Sequence, residues 1–258
     1  MGQQSTIEWT DATWNPVTGC TEVSPGCDHC YARTFAERWR GLAGHPYEQG
    51  FDLRLWPDRL NLPMRWKKPR RIFVNSMSDL FHKDVPDDFI FRVFDVMAQA
   101  HWHTFQVLTK RPSRLATLAP QITERLAQYN VRREPWPDHI WAGTSVETAQ
   151  YAWRIDKLRA VPAAIRFISA EPLLGSLQTI DLTDIHWLIA GGESGPGHRL
   201  CEPAWVAELC DMCQTHGVAF FFKQWGGRTP GAGGRLLHGR TWDEYPTPTP
   251  PLAVADEA

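Results

Sequence analysis

Three cysteines lie close together near the start of the chain, in the segment GCTEVSPGCDHCYAR, with the spacing C-x6-C-x2-C. Cys20, Cys27 and Cys30 cannot all pair with one another in disulfides, because their number is odd. Thiolates are soft ligands, so three of them select zinc or an iron–sulfur cluster over a hard ion such as magnesium. In a four-iron cluster, three protein ligands would leave one iron free for an exogenous ligand, and the loop would be a reaction centre.

A structural zinc site is the alternative use of this loop. Zinc in such sites has four ligands, and His29 or Cys201 would then complete the set. A second group of cysteines, with the spacing C-x8-C-x2-C, begins at Cys201. Its last two members, Cys210 and Cys213, share one face of a predicted helix, which favours core packing over a second cluster.

The elements that would position these residues follow a regular alternation. From Arg71 onward, short apolar runs predict strands at 71–76, 105–110, 139–145, 165–171, 186–193 and 218–225. Helical patterns between them cover 87–101, 112–129, 147–159 and 203–216. With an early strand at 6–10, this alternation predicts an α/β fold with about six to seven parallel strands. We expect a partial or complete (β/α) barrel, and an open doubly wound sheet is the alternative.

Polar side chains end six consecutive predicted strands. Each of them alone is explained by a turn, a cap or a solvated strand exit. Because ligands bind at the carboxyl ends of parallel strands, we expect them to converge on one mouth together with the cysteine loop. They are Asn75, Ser76, Ser78, Asp79, Thr109, Lys110, Arg111, Thr144, Ser145, Glu147, Ser169, Glu171, Glu193, Ser194, Lys223 and Gln224.

Composition limits the remaining possibilities. The net charge is −2, so no general basic field attracts nucleic acid, although residues 65–71 (RWKKPRR) form a local cationic run. A solvated approach to the next strand explains that run more simply than a phosphate site does. The 13 tryptophans are candidates for core, pocket wall or stacking on bases.

The sequence also predicts the localisation and the domain organisation of the protein. No apolar run is long enough to predict a membrane span, and the N-terminus lacks an export signal, so we expect a cytoplasmic protein. We expect a single barrel-like domain over residues 1–245. The Pro-rich stretch 246–258 predicts a disordered tail.

A series of motifs resembles the phage Gp37/Gp68 family over residues 3–245. In chain order the motifs are IEWTDATWNPVTGC, CDHCYA, VNSMSDLF, VLTKRP, SVE, ISAEPLLG, GGESGPG and FFFKQWGG. That family in turn resembles a divergent branch of the radical S-adenosylmethionine (radical SAM) enzymes, closest in style to spore photoproduct lyase. Those enzymes typically carry C-x3-C-x2-C, whereas the first gap here is six residues.

The resemblance implies a cofactor and a chemistry. Cys20, Cys27 and Cys30 would hold a [4Fe-4S] cluster whose fourth iron binds S-adenosylmethionine. Reductive cleavage, with electrons from a separate reductant, would give a 5′-deoxyadenosyl radical that abstracts hydrogen from a substrate. The implied substrate is a nucleic acid or nucleotide.

The same resemblance suggests roles for the strand-end residues. Ser76, Ser78 and Asp79 occupy the second-strand position that contacts the methionine amine in radical SAM enzymes. The Gly-Gly-Glu ending at Glu193 follows the sixth predicted strand, so it is not assigned that contact. Ser145 would suit contact with the ribose of S-adenosylmethionine. Glu171 and Lys110 would form the polar wall of the site. The catalytic candidates are Lys110, Glu193 and Lys223.

Two further hypotheses remain open. The chain would be a non-catalytic zinc or iron–sulfur module if four ligands close the site. Alternatively, it would act only through a protein partner, for which the sequence offers no decisive feature.

Overall fold

Strands and helices alternate along most of the chain in the computed structural model, which describes residues 5–129 and 135–247. The strands are β1 (Ala12–Trp14), β2 (Val17–Thr18), β3 (Arg54–Leu55), β4 (Arg71–Val74), β5 (Thr104–Thr109), β6 (Ile140–Ser145), β7 (Arg166–Ala170), β8 (Trp187–Gly191) and β9 (Ala219–Gln224). The α-helices are α1 (Tyr31–Glu37), α2 (Leu62–Arg65), α3 (Asp87–Gln99), α4 (Pro112–Leu126), α5 (Trp153–Arg159) and α6 (Pro203–His216).

Seven of these strands form one parallel sheet in the order β1-β4-β5-β6-β7-β8-β9. The order follows the chain without reversal, so the doubly wound alternative, whose strand order reverses at a switch point, is wrong. The sheet curls into a half-barrel with β1 and β9 at its edges. The predicted α/β class and partial barrel of seven parallel strands are confirmed.

The inner face of the half-barrel is closed at the amino ends of its strands by aromatic side chains. One cluster joins Phe73, Trp141, Phe167, Trp187 and Phe221, which come from five strands. Intervening residues such as Ile72, Val74, Phe105 and Val107 belong to the larger cluster that packs under the helices. Alternate residues of a strand point to opposite faces, so each strand supplies both cores.

The first predicted strand was placed too early. Residues 6–10 form a turn in which Thr10 N donates to Ile7 O at 3.2 Å, and β1 begins two residues later. The predicted helix at 147–159 is also shorter, because a 3-10 turn at Ala149–Tyr151 precedes α5. The sequence analysis missed the two-stranded antiparallel sheet of β2 and β3, which lies beside the cysteine loop.

The cationic run at 65–71 leads into the amino end of β4. Because the strands are parallel, this is the edge opposite to the strand ends that carry the polar groups. Trp66 in the run is buried, and Arg71 pairs with Asp11 at 2.9 Å. The run is therefore an approach to a strand and not part of the mouth.

Two remaining predictions concern the termini and membranes. The tail predicted at 246–258 lies outside the described residues from 248 onward. Tyr245 packs on Trp187 with ring centroids 5.2 Å apart, so the chain up to that point contacts the barrel floor. Within the two described ranges, no helix is both long and apolar enough to cross a membrane.

Trp187 gives a direct test of the aromatic floor. It is fully buried, contacts Trp9 and Trp141 edge-on, and donates Nε1–H to the Glu244 carbonyl at 2.9 Å. We expect Trp187→Ala to lower the free energy of unfolding by about 3–5 kcal/mol in urea titration. Trp153→Ala, at a position 46% exposed, is the control and should change it by only about 0.5 kcal/mol. Similar losses from both variants would contradict a packed floor.

Candidate active site

A cavity of about 410 Å³ opens where the carboxyl ends of the sheet strands meet. This volume lies within the range of small-molecule sites. The eleven residues to which the sequence assigned a metal, cofactor or catalytic role all line it: Cys20, Cys27, Cys30, Ser76, Ser78, Asp79, Lys110, Ser145, Glu171, Glu193 and Lys223. Two other predicted strand-end residues, Thr144 and Glu147, do not line it. The fold therefore brings the predicted residues together, while the individual roles given to them stay predictions.

The strands reach the cavity with polar residues for a simple geometric reason. Residues two apart on a strand share one face, so one strand can place an aromatic residue on the floor and a polar residue above it. Phe167 and Ser169 do this on β7, and Phe221 and Lys223 do it on β9. The cavity is consequently apolar at its base and polar at its mouth.

The cysteine loop runs from Cys20 through a 3-10 turn at Pro25–Cys27 to the start of α1. All six cysteines are free thiols, and the three in the loop are partly exposed. Across residues 5–129 and 135–247, no group of three or more His, Cys, Asp or Glu residues is arranged to hold a metal ion. The loop thus places three soft donors on one cavity wall without a preformed coordination shell.

Cys20 is held by an arginine. Its Sγ accepts a hydrogen bond from Arg111 Nη1 at 3.3 Å. Burial raises the pKa of the Cys20 thiol to about 11, with Asp79 adding to this effect and Arg111 opposing it. Without a metal, Cys20 is therefore a protonated thiol, and it would lose its proton on binding one.

Arg111 also fixes the backbone that follows Cys20. It donates to Thr21 O at 2.9 Å and to Asp79 Oδ2 at 3.1 Å. Asp79 in turn is buried, and its carboxylate accepts three more hydrogen bonds: from Thr109 Oγ1, Phe81 N and Lys110 N. In this arrangement Asp79 positions Arg111.

A second arginine holds the other end of the loop. Arg199 donates Nε–H to Glu193 Oε2 at 2.9 Å, donates to Pro25 O at 2.9 Å, and pairs with Asp28 at 3.2 Å. His29 Nδ1 also lies 2.9 Å from Glu193 Oε2. Arg199 was not predicted from the sequence, because it lies in an irregular segment where no periodicity marks it.

Glu193 is the buried centre of this network. Burial alone would raise its pKa, but hydrogen bonds from Arg199 and His29 outweigh that effect and hold the pKa at about 2. Glu193 therefore stays ionised and anchors the loop to the end of β8.

A third carboxylate holds the middle of the loop. Glu147 is fully buried and accepts from Ser24 Oγ at 2.8 Å and from Arg154 Nη1 at 2.9 Å, with Lys110 Nζ 3.5 Å away. A Cβ at Gly26 would lie only 2.5 Å from Glu147 Oε1. The glycine before Cys27 is thus required for the loop to approach this carboxylate.

The two glycines of the Gly-Gly-Glu segment have packing roles. A Cβ at Gly191 would lie 2.8 Å from Glu171 Oε1, and one at Gly192 would lie 2.0 Å from Trp225 O. Glu171 fills the first space and pairs with Lys223 Nζ at 3.2 Å. These glycines give close approach, whereas Gly195, with φ of 122°, serves the turn that follows.

The serines at the end of β4 are engaged with neighbouring backbone and side chains. Ser78 Oγ donates to Val17 O at 2.8 Å, and Ser76 Oγ accepts from Asn15 Nδ2 at 3.1 Å. The preceding residue, Asn75, is 2% exposed and has a left-handed backbone with φ of 63°. Neither its Nδ2 nor its Oδ1 has a hydrogen-bond partner among the residues that the structure describes.

The other three cysteines contact the main core. Cys210 and Cys213 are buried in the main core on α6, and Cys201 packs against that core. The predicted packing role of Cys210 and Cys213 is confirmed.

The chain matches a family model described as "Protein of unknown function (DUF5131)" over residues 4–246. It belongs to the DUF5131 family. The match supports membership under that description, and the phage Gp37/Gp68 name stays a resemblance. No curated protein matches the sequence.

Solved structures similar to the chain are forms of spore photoproduct lyase. The complex with dinucleoside spore photoproduct shares 11% identity with a TM-score of 0.47, covering 82% of this chain and 64% of that one. A cysteine-to-serine mutant shares 13% identity with a TM-score of 0.49, covering 79% and 61%. A double mutant with bound AdoMet and dinucleoside spore photoproduct shares 12% identity with a TM-score of 0.46, covering 81% and 61%. The chain thus spans about three fifths of the length of these spore photoproduct lyase structures.

The lowered pKa of Glu193 predicts a specific pH dependence. A depressed pKa stabilises the fold above the unfolded value of about 4.3, and this contribution is lost as the pH falls toward about 2. We expect Glu193→Gln to unfold at lower urea than the wild type at pH 7, with the difference shrinking below pH about 4.3. The exposed Glu124→Gln variant is the control. A Glu193→Gln deficit that is constant with pH would contradict the ionised anchor.

Proposed function

We propose that this DUF5131 protein is an iron–sulfur enzyme of radical SAM type, in which Cys20, Cys27 and Cys30 hold a [4Fe-4S] cluster beside bound S-adenosylmethionine. One observation carries the proposal: three free thiols of a single loop line the same cavity on which the polar strand ends converge. A loop that only stabilised the fold would not need to open onto a ligand-sized cavity.

The donor atoms of the loop are of the type that binds an iron–sulfur cluster. Three thiols are a soft donor set suited to iron–sulfur or zinc. His29, the nearest candidate for a fourth protein ligand, is engaged by the buried Glu193. That bond leaves Nε2 of His29 available to a metal, so the donor set fits an open three-thiol cluster and also a zinc site closed by His29, and metal analysis must separate the two.

When bound and reduced by an external electron donor, the cluster would cleave S-adenosylmethionine and supply a radical that takes a hydrogen atom from the substrate. The chain itself would bind and orient the cofactor and the substrate, and it would exclude water from the site. The aromatic floor closes the amino end of the half-barrel, and Lys110, Ser145 and Glu171 give the mouth charged and hydroxyl groups for an amino acid and a ribose.

The three catalytic candidates differ in accessibility. The side chains of Lys110 and Lys223 are 22% and 24% exposed and reach the cavity, whereas that of Glu193 is 5% exposed and bound by Arg199. We assign the lysines to contact with cofactor or substrate, and Glu193 to positioning the loop.

A shallow groove next to the mouth supports a nucleotide or nucleic acid as substrate. It shares Lys110 and Arg111 with the cavity and contains the exposed Trp153. Of the described residues that line it, five are cationic and none is a carboxylate: Lys83, Lys110, Arg111, Arg114 and Arg154. Four of them pair with carboxylates outside the groove, and Arg154 is buried, so the exposed Lys83 and the partly exposed Lys110, Arg111 and Arg114 are the ones a phosphate could reach. Cations for phosphates next to an aromatic face for a base are the usual components of a single-strand site.

Iron binding by the loop is the central test. After anaerobic reconstitution, we expect about four irons and four sulfides per chain and a broad visible absorption band. Cys27→Ala should lose the iron and the band while keeping the unfolding midpoint of the metal-free protein, because the half-barrel does not depend on that thiol. Metal analysis, visible spectra and urea titration give the three readouts.

Cys201→Ala is the matched control for this experiment. A cluster held by the loop cysteines should survive in it, whereas a closed zinc site that uses Cys201 would be lost. Wild-type protein that binds zinc but retains no iron after reconstitution would overturn the proposal and support the non-catalytic module.

Trp153 tests the substrate class. Base stacking contributes about 1–3 kcal/mol, so Trp153→Ala should weaken binding of a labelled single-stranded oligonucleotide roughly 5- to 150-fold. Tyr129→Ala is the control, because Tyr129 is 45% exposed and follows α4 at the opposite edge of the sheet. Equal affinities for both variants and the wild type in fluorescence anisotropy would exclude the groove as a nucleic-acid site.

A further inference from the structure

Asn75 lies where a ligand is the natural partner of its side chain. It follows β4 directly, lines the cavity and is 2% exposed. In the part of the chain that the structure describes, its carboxamide nitrogen and oxygen have no hydrogen-bond partner. Leaving both atoms of a buried carboxamide unsatisfied is costly, and a native fold rarely retains it without a bound group.

The backbone adds to this cost. The φ of Asn75 is 63°, in the left-handed region that few residues other than glycine and asparagine adopt. The backbone nitrogen is nevertheless fixed by a bond to Trp14 O at 2.8 Å. The chain thus holds the carboxamide at the cavity wall, and the soft terminal torsion lets the amide turn toward a ligand.

The surroundings of Asn75 are aromatic. Phe73 precedes it by two residues, lies on β4 and lines the cavity. The ring of Trp9, 4.7 Å from that of Phe73, lines the cavity as well. The Trp9 indole N–H, like the Asn75 amide, is buried and lacks a hydrogen-bond partner among the described residues.

These features define the group that would fit. A carboxamide pairs in two bonds with a planar edge that presents a donor next to an acceptor, as asparagine does with adenine. The indole N–H requires a further acceptor. The aromatic rings of the cavity wall favour a ligand with a flat, apolar face. A heterocyclic base meets all three requirements, whereas an aliphatic amino acid or a phosphate does not.

We infer that Trp9, Phe73 and Asn75 form a subsite for a heterocyclic base, with Asn75 as the residue that reads its hydrogen-bonding edge. The inference deepens the proposed function and rests on it for the nucleotide chemistry, but it does not require the cluster. The base belongs either to the adenosyl group of the cofactor or to a nucleotide substrate, since both present the same kind of edge.

Equilibrium binding of adenosine and of thymidine to the reconstituted protein tests the subsite. We expect Asn75→Asp, which replaces the amide donor by an acceptor, to weaken base binding at least tenfold. Asn75→Gly should weaken it similarly and leave the fold at least as stable, because glycine accepts the left-handed backbone. Unchanged affinity in both variants, or no binding of either base by the wild type, would overturn the inference.

Competition identifies the source of the base. Displacement of adenosine by S-adenosylmethionine assigns the subsite to the cofactor, and thymidine binding that persists at saturating S-adenosylmethionine assigns it to the substrate. The same titrations in Cys27→Ala separate the two proposals. Binding that still depends on Asn75 in protein without iron would support the subsite even if the radical SAM proposal fails.

Discussion

The site depends on three buried carboxylates at the ends of alternate sheet strands. Asp79 follows β4, Glu147 follows β6 and Glu193 follows β8, and each is bound by an arginine. A buried carboxylate that loses its partner is strongly destabilising, so each pair fixes both of its members. Because Arg111 and Arg199 also bind backbone of the cysteine loop, the charge pairs of the barrel determine where the thiols lie.

This arrangement explains the long first gap in the cysteine spacing. The six residues between Cys20 and Cys27 carry the contacts that join the loop to its three anchors. Thr21 binds Arg111, Ser24 binds Glu147, and the Pro25 carbonyl accepts from Arg199. The additional residues therefore attach the cysteine loop to the barrel, and the longer gap does not by itself argue against a three-cysteine cluster.

The division of the inner face into an aromatic floor and a polar mouth links stability to the proposed chemistry. Floor residues such as Phe167 and Phe221 close the half-barrel at its amino end, and the same strands two residues further on present Ser169 and Lys223 to the cavity. A reactive intermediate formed at the mouth would be shielded from solvent on the floor side. Asn75 and Trp9 line the cavity where the two zones meet, and their polar side-chain atoms are buried there.

The amino-acid sequence by itself determined the class of fold and predicted which edge of the sheet carries the polar strand ends. Apolar runs alternating with helical patterns predicted the parallel sheet, because strands buried on both faces need continuous apolar residues. Polar residues at strand ends predicted one mouth, because parallel strands end on the same edge. Local errors, such as the strand placed at 6–10, arose because a threonine turn and a short edge strand have similar patterns.

Only the tertiary structure decided how the site residues are used. Asp79 and Glu193 were predicted as cofactor-binding and catalytic residues, yet the structure shows them holding arginines that position the loop. Arg199 was not predicted, because its partner Pro25 is distant in the chain. Asn75 was predicted only as one of the polar strand ends, because its distinguishing feature is a side chain without a partner among the described residues. Pairing across the chain and burial are properties of the folded protein, and no local pattern of residues encodes them.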